Sequence, residues 1–188
     1  RPQQSVKIEG KEVYGPVLTK DDMTNLDMAE AFGVTAVMQP FVRNGADVQV
    51  VRDALDARGL HARIFAKIET LTGVENLDSI MDVADVIVIA RGDLGNCGPL
   101  WELPTLQKRI AQACRQRNKP FMVVTQMLTS MIHSAVPTRA EVSDIFNAVL
   151  DGASYLMVTN ETSVGSHPDL AVRYLARTAQ AAERFMGC

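Results

Sequence analysis

The chain has 188 residues, 47% of them apolar and 22% charged, with a formal net charge of −3. It is long enough to bury one substantial core and has no clustered basic face of the kind that nucleic acid requires. No run approaches the roughly 18 apolar residues that span a bilayer, and the opening "RPQQSVKIEG" has no apolar signal core. A cytoplasmic protein is expected, with neither nucleic acid nor membrane as a partner. Cys97, Cys114 and Cys188 are odd in number and widely spaced, which suits neither a disulfide framework nor a CxxC metal site, so reduced thiols are expected.

In chain order, "VKIEGKEVYGP" alternates like a hairpin, and helices and strands then follow one another. Helices are predicted near residues 20–32, 46–58, 74–83, 104–117, 140–150 and 168–185. Strands are predicted over 34–41, 63–69, 86–90, 120–127 and 155–161. Thr138 with Glu141 fits a capping box, Pro168 with Asp169 fits a first turn, and Gly33, Gly59 and Gly152 follow helix ends. Over 104–117, Leu106, Ile110, Ala113 and Cys114 fall on one face, and Gln107, Lys108, Arg115 and Gln116 on the other.

About five βα units with nearly all-apolar strands predict an α/β fold with a parallel sheet covered by helices, either open and doubly wound or a partial TIM-type barrel. A complete barrel would need about three more strands, and an open sheet would leave unpaired edges. The chain is therefore expected to associate with itself or with a companion chain that completes the barrel.

In such sheets ligands bind at the carboxyl ends of the strands. Here those ends read Lys67-Ile68-Glu69, Arg91-Gly92-Asp93, Thr125-Gln126 and Thr159-Asn160-Glu161. Lys67 and Glu69, two apart on a strand, project to the same face. Glu69 and Asp93, on neighbouring strand ends, could together hold a hard divalent cation, Mg²⁺ or Mn²⁺, with water or substrate oxygens completing its shell. Lys67 beside it would supply a second positive charge for an enolate or a transferring phosphoryl group.

Gly92 lets a ligand approach the backbone, and the N–H groups that follow could receive a carboxylate or phosphate. The plainer alternative is a Lys67–Glu69 salt bridge at the rim and a simple turn at "RGDLG". Arg91 and Glu161 are expected to support the site rather than to touch substrate. His61, His133 and His167 read as surface or capping residues, Met122, Met127 and Met131 as core, and Trp101 as packing near the site loop.

"AKIET", "GVENLDSIMDVADVIVIARGDLG", "KPFMVVTQMLTSMI", "PTRAEVSDIFNAVLDG" and "NETSVGSHP" resemble the successive motifs of the pyruvate kinase family, in its order and at its spacing, from about Gly10 to Phe185. The resemblance implies a (β/α)₈ barrel enzyme that moves a phosphoryl group between phosphoenolpyruvate and ADP, using Mg²⁺ and K⁺. Lys67 would stabilise the phosphoryl group and enolate, Glu69 and Asp93 would bind Mg²⁺, Thr125 would hydrogen-bond the substrate, and the Gly92 and Asp93 N–H groups would receive its carboxylate.

The family's first three barrel strands, which carry most of its K⁺ ligands, have no equivalent here. Residues 1–15 resemble the end of its mobile lid domain and 16–188 its catalytic barrel. "NETS" stands where the family shows "SGETA", Pro40 takes a usually hydroxylated position, and Asn96-Cys97-Gly98 replaces an apolar-acidic-apolar triplet. Two other readings remain at this stage: metal-assisted chemistry of a pyruvate enolate without nucleotide, and a non-catalytic relative.

Overall fold

Residues 15–187 are described by the computed structural model; the hairpin expected at the N-terminus lies outside them. Val86–Ala90 (β3) shows why the sheet is parallel and covered. All five of its side chains are 2% exposed or less, which requires packing on both faces. Ala36–Gln39 (β1), Arg63–Ile68 (β2), Phe121–Val124 (β4) and Tyr155–Met157 (β5) complete one sheet of five parallel strands in the order β1-β2-β3-β4-β5.

Side chains divide by alternation. Ile64, Ala66, Ile68, Ile87, Ile89, Phe121 and Val123 face a helical layer that supplies Val48, Leu55, Ile80, Ile110, Cys114, Ile145 and Ala148. Each fully buried isoleucine contributes about 1.5–3 kcal/mol there. Phe65, Val86, Val88, Ala90, Met122 and Val124 form a second cluster on the opposite face, with Tyr155 and Met157 against it.

That second face decides between the two expected architectures. A flat sheet would hold β2 and β5 three strand spacings, about 14 Å, apart. Yet the Phe65 and Tyr155 rings meet edge to face with centroids 5.5 Å apart, and Arg63 Nη1 donates to the Tyr155 hydroxyl at 3.1 Å. The sheet is rolled, with the second cluster inside the curve, as in a partial barrel of the TIM type.

The helical layer comprises Lys20–Asp27 (α1), Gly45–Asp56 (α2), Leu71–Glu75 (α3), Leu77–Val83 (α4), Arg91–Leu94 (α5), Leu103–Gln116 (α6), Arg139–Leu150 (α7), Asn160–Ser163 (α8) and Pro168–Met186 (α9). The capping box at Thr138 and Glu141 forms on α7. Gly59 and Gly152 take left-handed φ of 66° and 94° just past α2 and α7, the conformation that ends a helix most cheaply in glycine, whereas Gly33, at φ 63°, lies beyond an α1 that ends at Asp27 and not near residue 32.

Several expectations need correction. The buried stripe of α6 is Gln107, Ile110, Ala111 and Cys114, so Gln107 lies inward: its place at i, i+3, i+4, i+7 outweighs its polarity. Burial pushes the Cys114 thiol up to about 12, against a smaller opposing effect of Lys119. Trp101 is 77% exposed and so is not the buried packing residue expected near the site loop. The predicted helix at 74–83 is divided at Asn76 into α3 and α4, and "RGDLG" forms the short α5 rather than only a turn. Four strands end earlier than predicted, β2 by one residue, and β1, β4 and β5 by more because the chain leaves the ladder before Phe41, at Thr125 and after Met157.

Candidate active site at the carboxyl ends of the strands

Lys67 is on the inner face of β2, opposite Val88 of β3 in the ladder. Glu69 follows that strand and is buried, its side chain 1% exposed. Lys67 Nζ pairs with Glu69 Oε1 at 2.7 Å, so the rim salt bridge does form. The second oxygen, Oε2, accepts the Phe41 N–H at 2.7 Å. This bond holds the end of β1, where Phe41 has φ 49°, against the end of β2. Each Glu69 oxygen therefore has one partner, and a carboxylate oxygen has lone-pair capacity for another.

Asp93 sits in α5, directly after β3. It is exposed, and its carboxylate makes no hydrogen bond or ion pair among the described residues. No group of three or more His, Cys, Asp or Glu is placed to hold a metal among those residues. A divalent cation here would take Glu69 and Asp93 and complete its shell with water and substrate oxygens. Mg²⁺ is ordinarily held in this way, and the donor set of two hard carboxylates fits it. The Cys97 thiol, 3.3 Å from Glu69 O and 3.5 Å from Asp93 O, borders the same loop.

Gly92 and Thr125 are brought together directly: the Gly92 N–H donates to Thr125 Oγ1 at 2.8 Å. The hydroxyl in turn donates to Val124 O at 2.5 Å. An added Cβ on Gly92 would meet nothing closer than Thr125 Oγ1 at 3.6 Å, so the packing of this chain does not itself demand glycine there. The space is open to something else. The Asp93 N–H lies in the first turn of α5 and has no acceptor within that helix.

Arg91, 8% exposed, does not pair with Glu69 or Asp93. Its Nη1 donates to Asp144 Oδ1 and Oδ2 at 2.8 and 2.6 Å, and its remaining donors reach the main chain at Thr125 and Gln126. No sequence signal pointed to Asp144, one acidic residue within an ordinary amphipathic helix.

Glu161, 1% exposed, accepts the Leu128 N–H at 3.0 Å and the Thr159 N–H at 2.8 Å. Burial alone would raise its pKa. Hydrogen bonds from the backbone at Thr159, Glu161 and Leu128 and from the Thr159 hydroxyl outweigh that and hold the carboxyl below its ordinary value. It fastens the loop after β4 to the end of β5 and thus supports the rim without lining it. The same loop is tied to α7 by Glu141, which accepts from Ser130 N at 2.7 Å and Ser130 Oγ at 2.5 Å. His61 and His133 are exposed and His167 partly so; none of them meets Lys67, Glu69 or Asp93.

A rolled parallel βα sheet with its ionisable groups gathered at one rim defines a barrel-type α/β domain. The chain belongs to the pyruvate kinase family: the family model for the pyruvate kinase barrel domain matches residues 1–172. Pyruvate kinase of Mycobacterium intracellulare is 44% identical over 180 residues, which cover 96% of this chain and 38% of that protein. The Schizosaccharomyces pombe enzyme is 42% identical over 181 residues, 96% of this chain and 36% of that protein. A crystal structure of a pyruvate kinase from Cryptosporidium parvum superposes with a TM-score of 0.89 at 38% identity, over 93% of this chain and 37% of the other. The chain thus spans little more than a third of the length of the relatives it matches.

Proposed function

We propose that this chain carries the metal-binding and phosphoryl-stabilising half of a pyruvate-kinase-type site, which transfers a phosphoryl group between phosphoenolpyruvate and ADP. The observation that supports this most is the convergence of Lys67, Glu69, Asp93, Gly92 and Thr125 on neighbouring strand ends in a chain of that family. Glu69 and Asp93 would hold Mg²⁺ or Mn²⁺, which supplies Lewis-acid charge stabilisation when bound. The Lys67 ammonium neutralises charge that develops on the transferred phosphoryl group and the enolate oxygen, an interaction strongest in the transition state. The Gly92 and Asp93 N–H groups receive the substrate carboxylate, with the Thr125 hydroxyl released from Gly92 to hydrogen-bond the substrate.

K⁺, which the family resemblance implies, would be held mainly by residues on barrel strands outside the described residues. Completion of the open β1 and β5 edges by further strands, from a second copy or a companion chain, belongs to the same proposal. So does a cytoplasmic setting, which rests on the likeness to pyruvate kinases.

The test assays the chain, and any longer product of its gene, for two activities: transfer from phosphoenolpyruvate to ADP, and metal-dependent proton exchange at the pyruvate methyl group. Both activities are expected together. Exchange without transfer would replace this reading with nucleotide-free enolate chemistry, and neither activity in an assembled, metal-loaded protein would leave a non-catalytic relative.

A further inference from the structure

Four non-glycine residues among those described have left-handed backbone: Phe41, Asn118, Thr125 and Gln126. Asn118 follows the end of α6, where asparagine adopts this conformation readily. The other three are at the catalytic rim. Thr125, at φ 72°, is the most strained of them because a β-branched side chain crowds its own backbone there. Gln126 follows at φ 55°. Two such residues in succession persist only where their surroundings over-determine them.

The determinant is the Arg91 guanidinium. Nε and Nη2 donate to Thr125 O at 3.1 and 2.8 Å, and Nη2 reaches Gln126 O at 3.1 Å and Met127 Sδ at 3.0 Å. Asp144 of α7 is its carboxylate partner. The turn pinned in this way aims Thr125 Oγ1 at the Gly92 N–H.

We propose that Asp144 is a positioning residue for this site. Through Arg91 it fixes the left-handed Thr125–Gln126 turn, and thereby sets how firmly Thr125 caps the N–H that receives the substrate carboxylate. Without its carboxylate the buried guanidinium loses its counter-charge and the acceptors of Nη1. A groove of about 570 Å³ beside it, lined by Leu103, Pro104, Gln107, Ser143 and Asn147 among others, gives Arg91 room to swing toward water and release both carbonyls. The meaning of the capped N–H for substrate rests on the pyruvate-kinase reading, whereas the mechanical link from Asp144 to Gly92 does not.

The experiment is residue-resolved amide exchange and backbone carbon shifts by NMR on the whole chain, in the parent and in Asp144→Ala, Asp144→Asn and Asp144→Glu. Exchange at Gly92 should quicken by about tenfold or more in the alanine and asparagine variants. The shifts of Thr125 and Gln126 should leave left-handed values, exchange at Val88 in β3 should stay near the parent's, and Asp144→Glu should restore much of the protection. Should the alanine variant fail to fold, the near-isosteric asparagine variant decides. Gly92 exchange within about twofold of the parent's, or a rise shared equally by Val88, would overturn the proposal. Titration of the parent with phosphoenolpyruvate and Mn²⁺ is read separately: absence of binding there counts against the functional reading and leaves the exchange result to judge the link.

Discussion

Glu161→Ala should cost more stability than any other single change at the rim, about 2–4 kcal/mol, because it strips the buried Leu128 N–H and the half-buried Thr159 N–H of their acceptor. Glu161→Gln keeps one carbonyl oxygen and should cost less. The effect should also depend on pH. Because the folded carboxyl titrates below the ordinary glutamate value of 4.5, its contribution is fully present above that value and is lost as pH falls through the lower folded pKa. Urea unfolding of parent and variants at pH 7 and at pH 3 provides the check. The gap between parent and Glu161→Ala should be wide at pH 7 and narrower at pH 3. A difference under about 1 kcal/mol at pH 7 would mean that the loop after β4 is held by other means.

The second large effect belongs to Lys67. Lys67→Met retains much of the stem and removes the ammonium, and should lower kcat for phosphoryl transfer by on the order of a hundredfold or more, equivalent to several kcal/mol of barrier. The ion pair adds a structural consequence. With Lys67 gone, the buried Glu69 carboxylate keeps only the Phe41 N–H as partner among the described residues, so the variant should be less stable than the parent without metal. Saturating Mn²⁺ should close most of that gap, since the cation supplies the missing counter-charge. Kinetics of the active protein and melting with and without Mn²⁺ measure both parts. A kcat within about threefold of the parent's would reduce Lys67 to a salt-bridge partner.

Which parts of this molecule could be read from its sequence follows from the range of the interactions involved. The five strands and the rim position of Lys67, Glu69, Asp93 and Thr125 were legible because they depend on local pattern: an apolar run with polar residues at its carboxyl end. The curvature of the sheet was not legible, since it rests on Phe65 meeting Tyr155, 90 residues later, across two intervening strands. Nor were the left-handed Thr125 and Gln126, because local propensity disfavours that conformation for both, and the Arg91 guanidinium that holds their carbonyls comes from the end of another strand. Gln107 was misplaced by treating polarity as position. Asp144 gave no signal at all, because its importance arises from a partner 53 positions away.

Calorimetric titration of Mn²⁺ into the parent and into Asp93→Ala tests the site most directly. The Asp93 carboxylate is exposed and unpartnered among the described residues, so its removal should leave the fold intact and abolish one divalent site that the parent fills. Undiminished Mn²⁺ affinity in Asp93→Ala would show that Glu69 and Asp93 do not share a cation, and the metal-assisted chemistry assigned to this rim would fall with it.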